Sequence, residues 1–132
     1  MITTGELTQI ARARLADAKA LRSQKRHDGA VYLCGYAVEV ALKARICKTL
    51  KWTGLPTTQG EYTAFKTFHI HALDVLLRFS GMGDRVITVY EADWYIVKTW
   101  GPESIYKVPD SAVVADADDM IGAVQTLLKM LL

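Results

Sequence analysis

The stretch Ala30–Lys51, AVYLCGYAVEVALKARICKTLK, decides the fold, because it is apolar around most of its helical circumference. A helix that is hydrophobic on nearly all sides packs between other helices, so we expect this segment to be the central helix. Its middle holds one carboxylate, Glu39, which must be desolvated or paired in such surroundings. Lys43 lies four residues later on the same face, in the order that favours an ion pair. We interpret Glu39 and Lys43 as a structural pair that fixes the register of the helix, in preference to a catalytic dyad.

The composition predicts one globular domain that spans residues 1–132. Hydrophobic residues make up 51% of the chain and only three prolines interrupt it, so the chain is able to bury a core of its own. The start, MITTGELTQ, has no basic region followed by an apolar run. No window approaches the roughly twenty apolar residues that a membrane helix needs. We therefore expect a cytoplasmic protein with no membrane partner.

Both cysteines of the chain lie in the expected central helix. Cys34 and Cys47 are thirteen residues apart, which separates them by roughly 20 Å along a helix. This distance is too long for a mutual disulfide or for a shared metal site. We expect two buried, reduced cysteines that pack in the core.

Charge is unevenly distributed along a chain whose net charge is +2. Residues 1–51 hold ten Lys and Arg against four Asp and Glu, whereas residues 52–132 hold six against ten. The basic half could attract phosphate backbones. It could equally pair with the acidic half, either within the domain or across a dimer.

Apolar residues at helical spacing predict further helices on both sides of the central one. The first helix runs from about 4 to 24, with Thr4 as its cap. A break at His27–Gly29 follows, with Asp28 as the cap of the central helix. Residues 53–67, which are rich in Gly and Thr, are expected to form a loop.

The second half of the chain shows three more helical segments. The third helix runs from about 69 to 80 and is stopped by Gly81, after which Asp84 is a candidate cap. The segment RVITVYEADWYIVKTW, residues 85–100, mixes β-branched residues with helical spacing, and its length favours a helix. After a loop, Asp110 and Ser111 open a strongly periodic last helix.

Helices joined mostly by short connections form an up-and-down antiparallel bundle. The predicted fold class is therefore all-α, with four to five helices. Nothing in the pattern demands a sheet.

Four segments of the chain, taken in order, carry a family resemblance. RLADAKAL at Arg14–Leu21 and HDGAVYLCGYAVEVALKARI at His27–Ile46 resemble the opening pair of helices of HEPN domains, the small helical modules of prokaryotic defence and toxin–antitoxin systems. HALDVLL at His71–Leu77 is similar to the His-Asp-Leu start that many members show after a variable loop. WGPESIYK at Trp100–Lys107 is similar to a Trp, Pro-Glu, Arg-Tyr segment of one branch.

The resemblance implies a HEPN-like helical domain that commonly forms a homodimer. In many members it acts as a metal-independent endoribonuclease, with an Arg followed four to six residues later by a His, and two copies of the pair meet across the dimer. The Arg would neutralise the pentacoordinate phosphorane and the His would move a proton near neutral pH. For many short members the resemblance also implies a separately encoded minimal nucleotidyltransferase as partner.

This sequence departs from the nuclease pattern. The family usually places the Arg–His pair in the C-terminal half, yet no His follows His71, and Ile105 stands before Tyr106 where relatives often have Arg. The same spacing occurs at Arg22 and His27, at the end of the first helix. We treat Arg22 and His27 as a candidate catalytic pair, with an ordinary surface helix terminus as the alternative.

His69 and His71 raise the question of a metal site. At the start of a helix the two side chains diverge by about 200°, and no third ligand is evident nearby, so we predict no metal and no cofactor. His71 is expected to hydrogen-bond at the helix entrance or to line a functional groove, and it is a candidate catalytic residue.

Aromatic residues near the end of the chain could stack on bases, as they do in proteins that bind single strands. The alternative for these aromatic residues is packing in the core, which their helical spacing favours. The residues are Trp94, Tyr95, Trp100 and Tyr106. The candidate residues for binding RNA or a nucleotide are Arg45, Trp100, Glu103 and Tyr106.

Three functions of different classes follow. The first is a HEPN domain without the nuclease pair, which recognises RNA or a nucleotide, or engages a minimal nucleotidyltransferase in a toxin–antitoxin or defence system. The second is a ribonuclease toxin with a displaced active site, in which Arg22 and His27, or His71 with a basic residue such as Arg45, carry the chemistry. The third is a helical oligomerisation protein with no nucleic-acid partner. The missing Arg–His pair favours the first.

Overall fold

The computed structural model describes residues 1–58, 60–61 and 70–132. Within these ranges the chain forms a helical bundle, which confirms the predicted all-α fold class. The elements, in chain order, are β1 (Ile2–Thr3), α1 (Thr4–Ser23), α2 (His27–Thr49), β2 (Gly54–Leu55), α3 (Leu73–Phe79), α4 (Gly83–Val89), α5 (Glu91–Val97), a 3-10 helix (Pro102–Tyr106) and α6 (Val114–Leu131).

The helix α2 is the centre of the bundle, as its sequence predicts. It packs against α1, α6, α3, β2 and the 3-10 helix. Small side chains on α2, including Ala37 and Ala41, are fully buried and allow neighbouring helices to approach closely. Cys34 and Cys47 are buried and free, as predicted.

The cap of α1 is Thr3, so the expectation of Thr4 is wrong by one residue. The Thr3 hydroxyl accepts a hydrogen bond from the Glu6 amide at 3.2 Å, and the Glu6 carboxylate accepts one from the Thr3 amide at 2.8 Å. These two bonds form a capping box. Hydrogen bonds from the Thr3 amide and the Thr3 hydroxyl to the Glu6 carboxylate lower the pKa of Glu6. Thr3 takes the extended cap conformation because it also pairs with Gly54 in a short sheet.

That two-stranded antiparallel sheet is an addition to the predicted all-helical pattern. Ile2 pairs with Leu55, and Thr3 pairs with Gly54. A Cβ on residue 54 would overlap the Ile2 carbonyl, so only glycine permits the approach of the two strands. The loop predicted over 53–67 therefore contains β2, while residues 59 and 62–69 lie outside the described residues.

Asp28 does not cap α2, contrary to the prediction. The helix begins at His27, without a hydrogen bond from a capping side chain, and Asp28 lies inside its first turn. The Asp28 carboxylate instead accepts hydrogen bonds from the Asp110 amide and, at 2.7 Å, from the Ala112 amide. Asp28 thus anchors the loop that precedes α6, a contact across more than eighty residues that local sequence does not reveal.

The start of the last helix was also predicted too early. Asp110 has a φ of 63°, which is incompatible with a right-handed helix, and α6 begins at Val114. The Asp116 carboxylate accepts a hydrogen bond from the Val113 amide at 2.8 Å and so satisfies one amide at the helix entrance. The apolar face of α6 is buried along its length, as the periodicity predicts.

The segment 85–100 is helical but interrupted. Tyr90, with φ −119° and ψ 26°, leaves the helical region and separates α4 from α5. The β-branched residues that precede it are weak helix formers, which accounts for the break after Val89. Asp84 is not a cap, because α4 begins at Gly83. The third predicted helix is shorter than expected and is described as Leu73–Phe79.

The described part of the chain contains no helix that is both long and apolar enough to cross a membrane.

Candidate functional site

One face of α2 carries the side chains from which the candidate site is built. Tyr32, Tyr36, Glu39 and Lys43 follow one another at steps of four, three and four residues, so they share one side of the helix. Three of them are partly exposed, whereas Glu39 is only 3% exposed. The central helix therefore carries a polar and aromatic stripe on an otherwise apolar surface.

The Glu39 carboxylate is held by two neighbours. Lys43 Nζ donates to Glu39 Oε1 at 2.8 Å. His71 Nδ1 lies 3.0 Å from Oε1 and 2.9 Å from Oε2 of the same carboxylate. We call Glu39, Lys43 and His71 the polar centre. A buried carboxylate is tolerable here because it has a cation and a second hydrogen-bond donor.

His71 is the accessible member of the polar centre. A carboxylate only accepts hydrogen bonds, so the imidazole proton lies on Nδ1 in this contact. The other ring nitrogen, Nε2, is then directed away from Glu39, and the His71 side chain is 47% exposed. An imidazole oriented by a carboxylate in this way can exchange a proton through Nε2 or, when protonated, contact a phosphate.

Aromatic rings pack beside the polar centre. The Tyr36 ring meets the His71 ring edge-on at a centroid distance of 6.4 Å, and the Trp100 ring at 4.9 Å. The Tyr32 and Tyr36 rings are 5.2 Å apart, with their hydroxyl oxygens at 3.5 Å. The hydrogen bond with Tyr32, together with burial, raises the pKa of Tyr36 to about 12, so this phenol stays protonated at neutral pH.

Trp100 reaches this aromatic group because residue 35 is glycine. A Cβ at Gly35 would lie well under 3.0 Å from the Trp100 indole. Trp100 is 9% exposed, so its predicted core packing is correct, as it is for Trp94. The same prediction is wrong for Tyr95 and Tyr106, which are 69% and 89% exposed. Tyr95 lies on α5, whose buried side carries Trp94 and Val97, whereas Tyr106 ends a 3-10 helix that has no buried residue.

The four residues predicted to bind RNA or a nucleotide do not form one site. Trp100, Glu103 and Tyr106 belong to the connection between α5 and α6, with Trp100 buried and the other two exposed. Arg45 lies near the opposite end of the bundle, where its Nη1 is 3.5 Å from the Leu131 carbonyl. Ten residues of helix, or about 15 Å, separate Arg45 from Gly35, which contacts Trp100.

The proposed catalytic pair Arg22 and His27 lies next to an acidic residue of α6. Arg22 Nε donates to Asp118 Oδ1 at 2.6 Å, and a second guanidinium nitrogen donates to Oδ2 at 3.2 Å. These bonds lower the pKa of Asp118, and His27 contributes to the same shift. A guanidinium bound in this bidentate manner already has the anion that it would otherwise offer to a phosphate.

Within the described residues, no group of three or more His, Cys, Asp or Glu side chains is arranged to hold a metal ion. His69 lies outside these residues, so the predicted divergence of His69 and His71 stays a prediction.

Sequence reasoning paired Glu39 with Lys43 but left His71 as a separate candidate and did not bring it to that pair. It also missed Tyr32 and Tyr36 as neighbours of the site. Their spacing with Glu39 on α2 was the available signal.

Comparison of the chain with protein-family models, curated proteins and solved structures finds no match.

Proposed function

We propose that this chain is a HEPN-like module that binds RNA or a nucleotide, without the nuclease pair of that family. One observation carries the proposal: His71 is oriented by a buried carboxylate, and its half-exposed side chain lies beside an aromatic ring. The bidentate contact of Arg22 with Asp118 also supports the proposal, because the Arg22 guanidinium already has a carboxylate partner.

The polar centre suits a phosphorylated ligand. A protonated His71 offers a charge-assisted hydrogen bond to a phosphate oxygen. Lys43 balances the charge of Glu39, so that the charge of a protonated His71 is left for the ligand. The partly exposed Tyr36 ring lies beside His71 and provides a surface on which a base can stack. Phosphate contact and stacking together recognise a nucleotide unit without reading its sequence.

A binding assay with a fluorescently labelled single-stranded RNA, and with a labelled mononucleotide, tests this proposal. We expect His71→Ala to weaken binding by about tenfold or more, since it removes the phosphate contact. The matched control is His27→Ala, which removes the histidine at the first residue of α2, twelve residues or about 18 Å of helix before Glu39, and should leave affinity unchanged. Absence of binding by the wild-type chain at low salt would refute the proposal, as would equal losses in the two variants.

The proposal includes the partners that the family resemblance implies. These are a second copy of the chain and a minimal nucleotidyltransferase, in a toxin–antitoxin or defence setting. A short nucleotidyltransferase reading frame beside the gene would support this setting. So would growth arrest on expression that co-expression of the neighbouring protein relieves. A gene with no such neighbour, whose expression leaves growth unchanged, speaks against it.

A metal-independent endoribonuclease is the second candidate, and the contact between Glu39 and His71 favours it. Glu39 would hold the imidazole so that Nε2 takes the proton from a ribose 2′-hydroxyl, whose oxygen then attacks the adjacent phosphorus. The bond from phosphorus to the 5′-oxygen breaks, the 5′-oxygen takes a proton from water and leaves as a hydroxyl, and a 2′,3′-cyclic phosphate remains. Cleavage of RNA in the presence of EDTA, abolished by His71→Ala and retained by His27→Ala, would establish this activity. If the wild-type chain binds RNA and leaves it intact, the binding module stands and the nuclease does not.

A further inference from the structure

The exposed large hydrophobic side chains of this protein are concentrated in one part of the chain. Among the described residues, nine of the twelve such side chains fall within residues 87–114. The most exposed is Tyr106, at 89%, followed by Val108, at 76%. A single exposed apolar residue needs no explanation, but a concentration of this kind marks an interaction surface.

This region also contains a groove, with a volume of about 630 Å³. It lies between the first turn of α2, the helix α5, the 3-10 helix and the start of α6, and its apolar wall includes Tyr95, Ile96 and Ile105. Its size is in the range of sites that enclose a ligand or a large side chain. Ser104, from the 3-10 helix, also lines it.

Tyr106 is a protruding side chain at the edge of that groove. Ile105 and Lys107 both line it, whereas Tyr106, between them, is directed into solvent. A large amphipathic ring and a cavity that can receive one are thus adjacent on the same surface. An interface between two copies related by a two-fold axis needs this arrangement, because each copy must offer both halves of the contact.

The charges at the groove also suit a contact between two copies of the chain. Lys107 and Asp119 both line it, and neither forms an ion pair within the part of the chain that the structure describes. The other two carboxylates of the groove are engaged by backbone amides: Asp28 by those of Asp110 and Ala112, and Asp116 by that of Val113. Lys107 and Asp119 are therefore the opposite charges left to pair across a two-fold axis.

We infer that this surface is the contact between two copies of the chain, in which Tyr106 of each copy enters the groove of the other. In the same contact, Lys107 of each copy pairs with Asp119 of the other. The inference rests on the homodimer included in the proposed function and adds the place where the two copies meet. A buried tyrosine at the centre of an interface is a frequent source of binding energy.

Sedimentation equilibrium of the full chain, without RNA, tests the contact. We expect a dimer at micromolar concentration, and Tyr106→Ala should raise the dimer dissociation constant by about tenfold or more. Because Tyr106 is almost fully exposed in the single chain, this variant should fold and keep the circular-dichroism spectrum of the wild type. The control is Leu50→Ala, an exposed apolar residue more than twenty positions away from Asp28 along α2, which should leave the dissociation constant unchanged.

A charge-reversal pair makes the test specific for this surface. Lys107→Glu and Asp119→Lys should each weaken the dimer, and the double variant should recover most of the loss. Arg12→Glu, a reversal on the exposed face of α1, serves as the control. A wild-type chain that stays monomeric overturns the inference together with the homodimer. A dimer that is unaffected by Tyr106→Ala and by both reversals overturns this contact alone, and RNA affinity at His71, measured separately, is unaffected by either result.

Discussion

Replacing Gly35 by alanine tests whether the contact between α2 and Trp100 controls the stability of the domain. Gly35 lies in the middle of α2, and an added Cβ would overlap atoms Cε2, Cδ2 and Nε1 of the indole. The indole is rigid and 91% buried, and it is flanked by the rings of Tyr32 and Tyr36. It has no open space into which it can turn without displacing them.

The sign of the change in the free energy of unfolding distinguishes this contact from ordinary helix propensity. In an unobstructed helix, Gly→Ala stabilises by about 0.8–1.0 kcal/mol. Overpacking of a filled core costs about 1–3 kcal/mol, and loss of the packing of a large aromatic side chain costs about 3–5 kcal/mol. We expect a net destabilisation of about 1–3 kcal/mol for Gly35→Ala, because the indole must shift. For a domain of this size the melting temperature should fall by several degrees.

Gly122→Ala is the matched control for this experiment. Gly122 lies in α6, is exposed, and an added Cβ would meet nothing within 4 Å. We expect Gly122→Ala to stabilise by up to about 1 kcal/mol, and urea unfolding followed by circular dichroism measures both variants. In a Trp100→Ala background, Gly35→Ala should become neutral or stabilising. If Gly35→Ala stabilises the wild-type chain as much as Gly122→Ala does, the proposed close packing of Trp100 on α2 is wrong.

Three further outcomes are expected. Burial raises the pKa of the Cys34 thiol to about 12, so a disulfide reagent at pH 8 should modify Cys34 only after unfolding, and rapid modification of the folded chain would contradict this. The guanidinium of Arg22 lowers the pKa of Asp118. This contact therefore stabilises the folded state at pH values above the ordinary carboxyl pKa of about 4, and the stabilisation is lost as the pH falls through the lowered pKa. The stability difference between the wild type and Arg22→Ala should therefore shrink in acid, and a constant difference down to the acid transition would count against the contact. Lys43→Met should lower the free energy of unfolding by up to about 3–5 kcal/mol, because Glu39 loses its cation. The double variant with Lys43→Met and Glu39→Leu should have nearly the wild-type free energy of unfolding when both are measured by denaturant unfolding.

Local pattern was enough to predict the elements that depend on burial alone. The central position of α2 and the apolar face of α6 follow from residues that repeat at helical spacing, and the structure has both. The pair of Glu39 and Lys43 is equally local, because residues four apart on a helix are neighbours whatever the rest of the chain does.

The helix ends and the full polar centre depend on contacts between distant residues, so local pattern could not supply them. The sequence around Asp28 is typical of a helix cap, but its carboxylate accepts hydrogen bonds from backbone amides that follow Pro109. His71 reaches Glu39 across thirty-two residues, and only the packing of α3 against α2 brings them together. Tyr106 is a large aromatic residue of the kind expected in a core. It is exposed because the 3-10 helix that ends at Tyr106 lies on the surface.

The stripe on α2 connects the two surfaces to which we assign a role. Tyr32 lines the groove and contacts Tyr36, and Tyr36 contacts His71 of the polar centre. Apolar residues of similar volume at Glu39 and Lys43 would avoid the desolvation of two charges. The charged part of the stripe therefore has no advantage for stability alone. Its presence beside an exposed imidazole on one side and an open groove on the other is the physical reason to place the function of this protein on that face of α2.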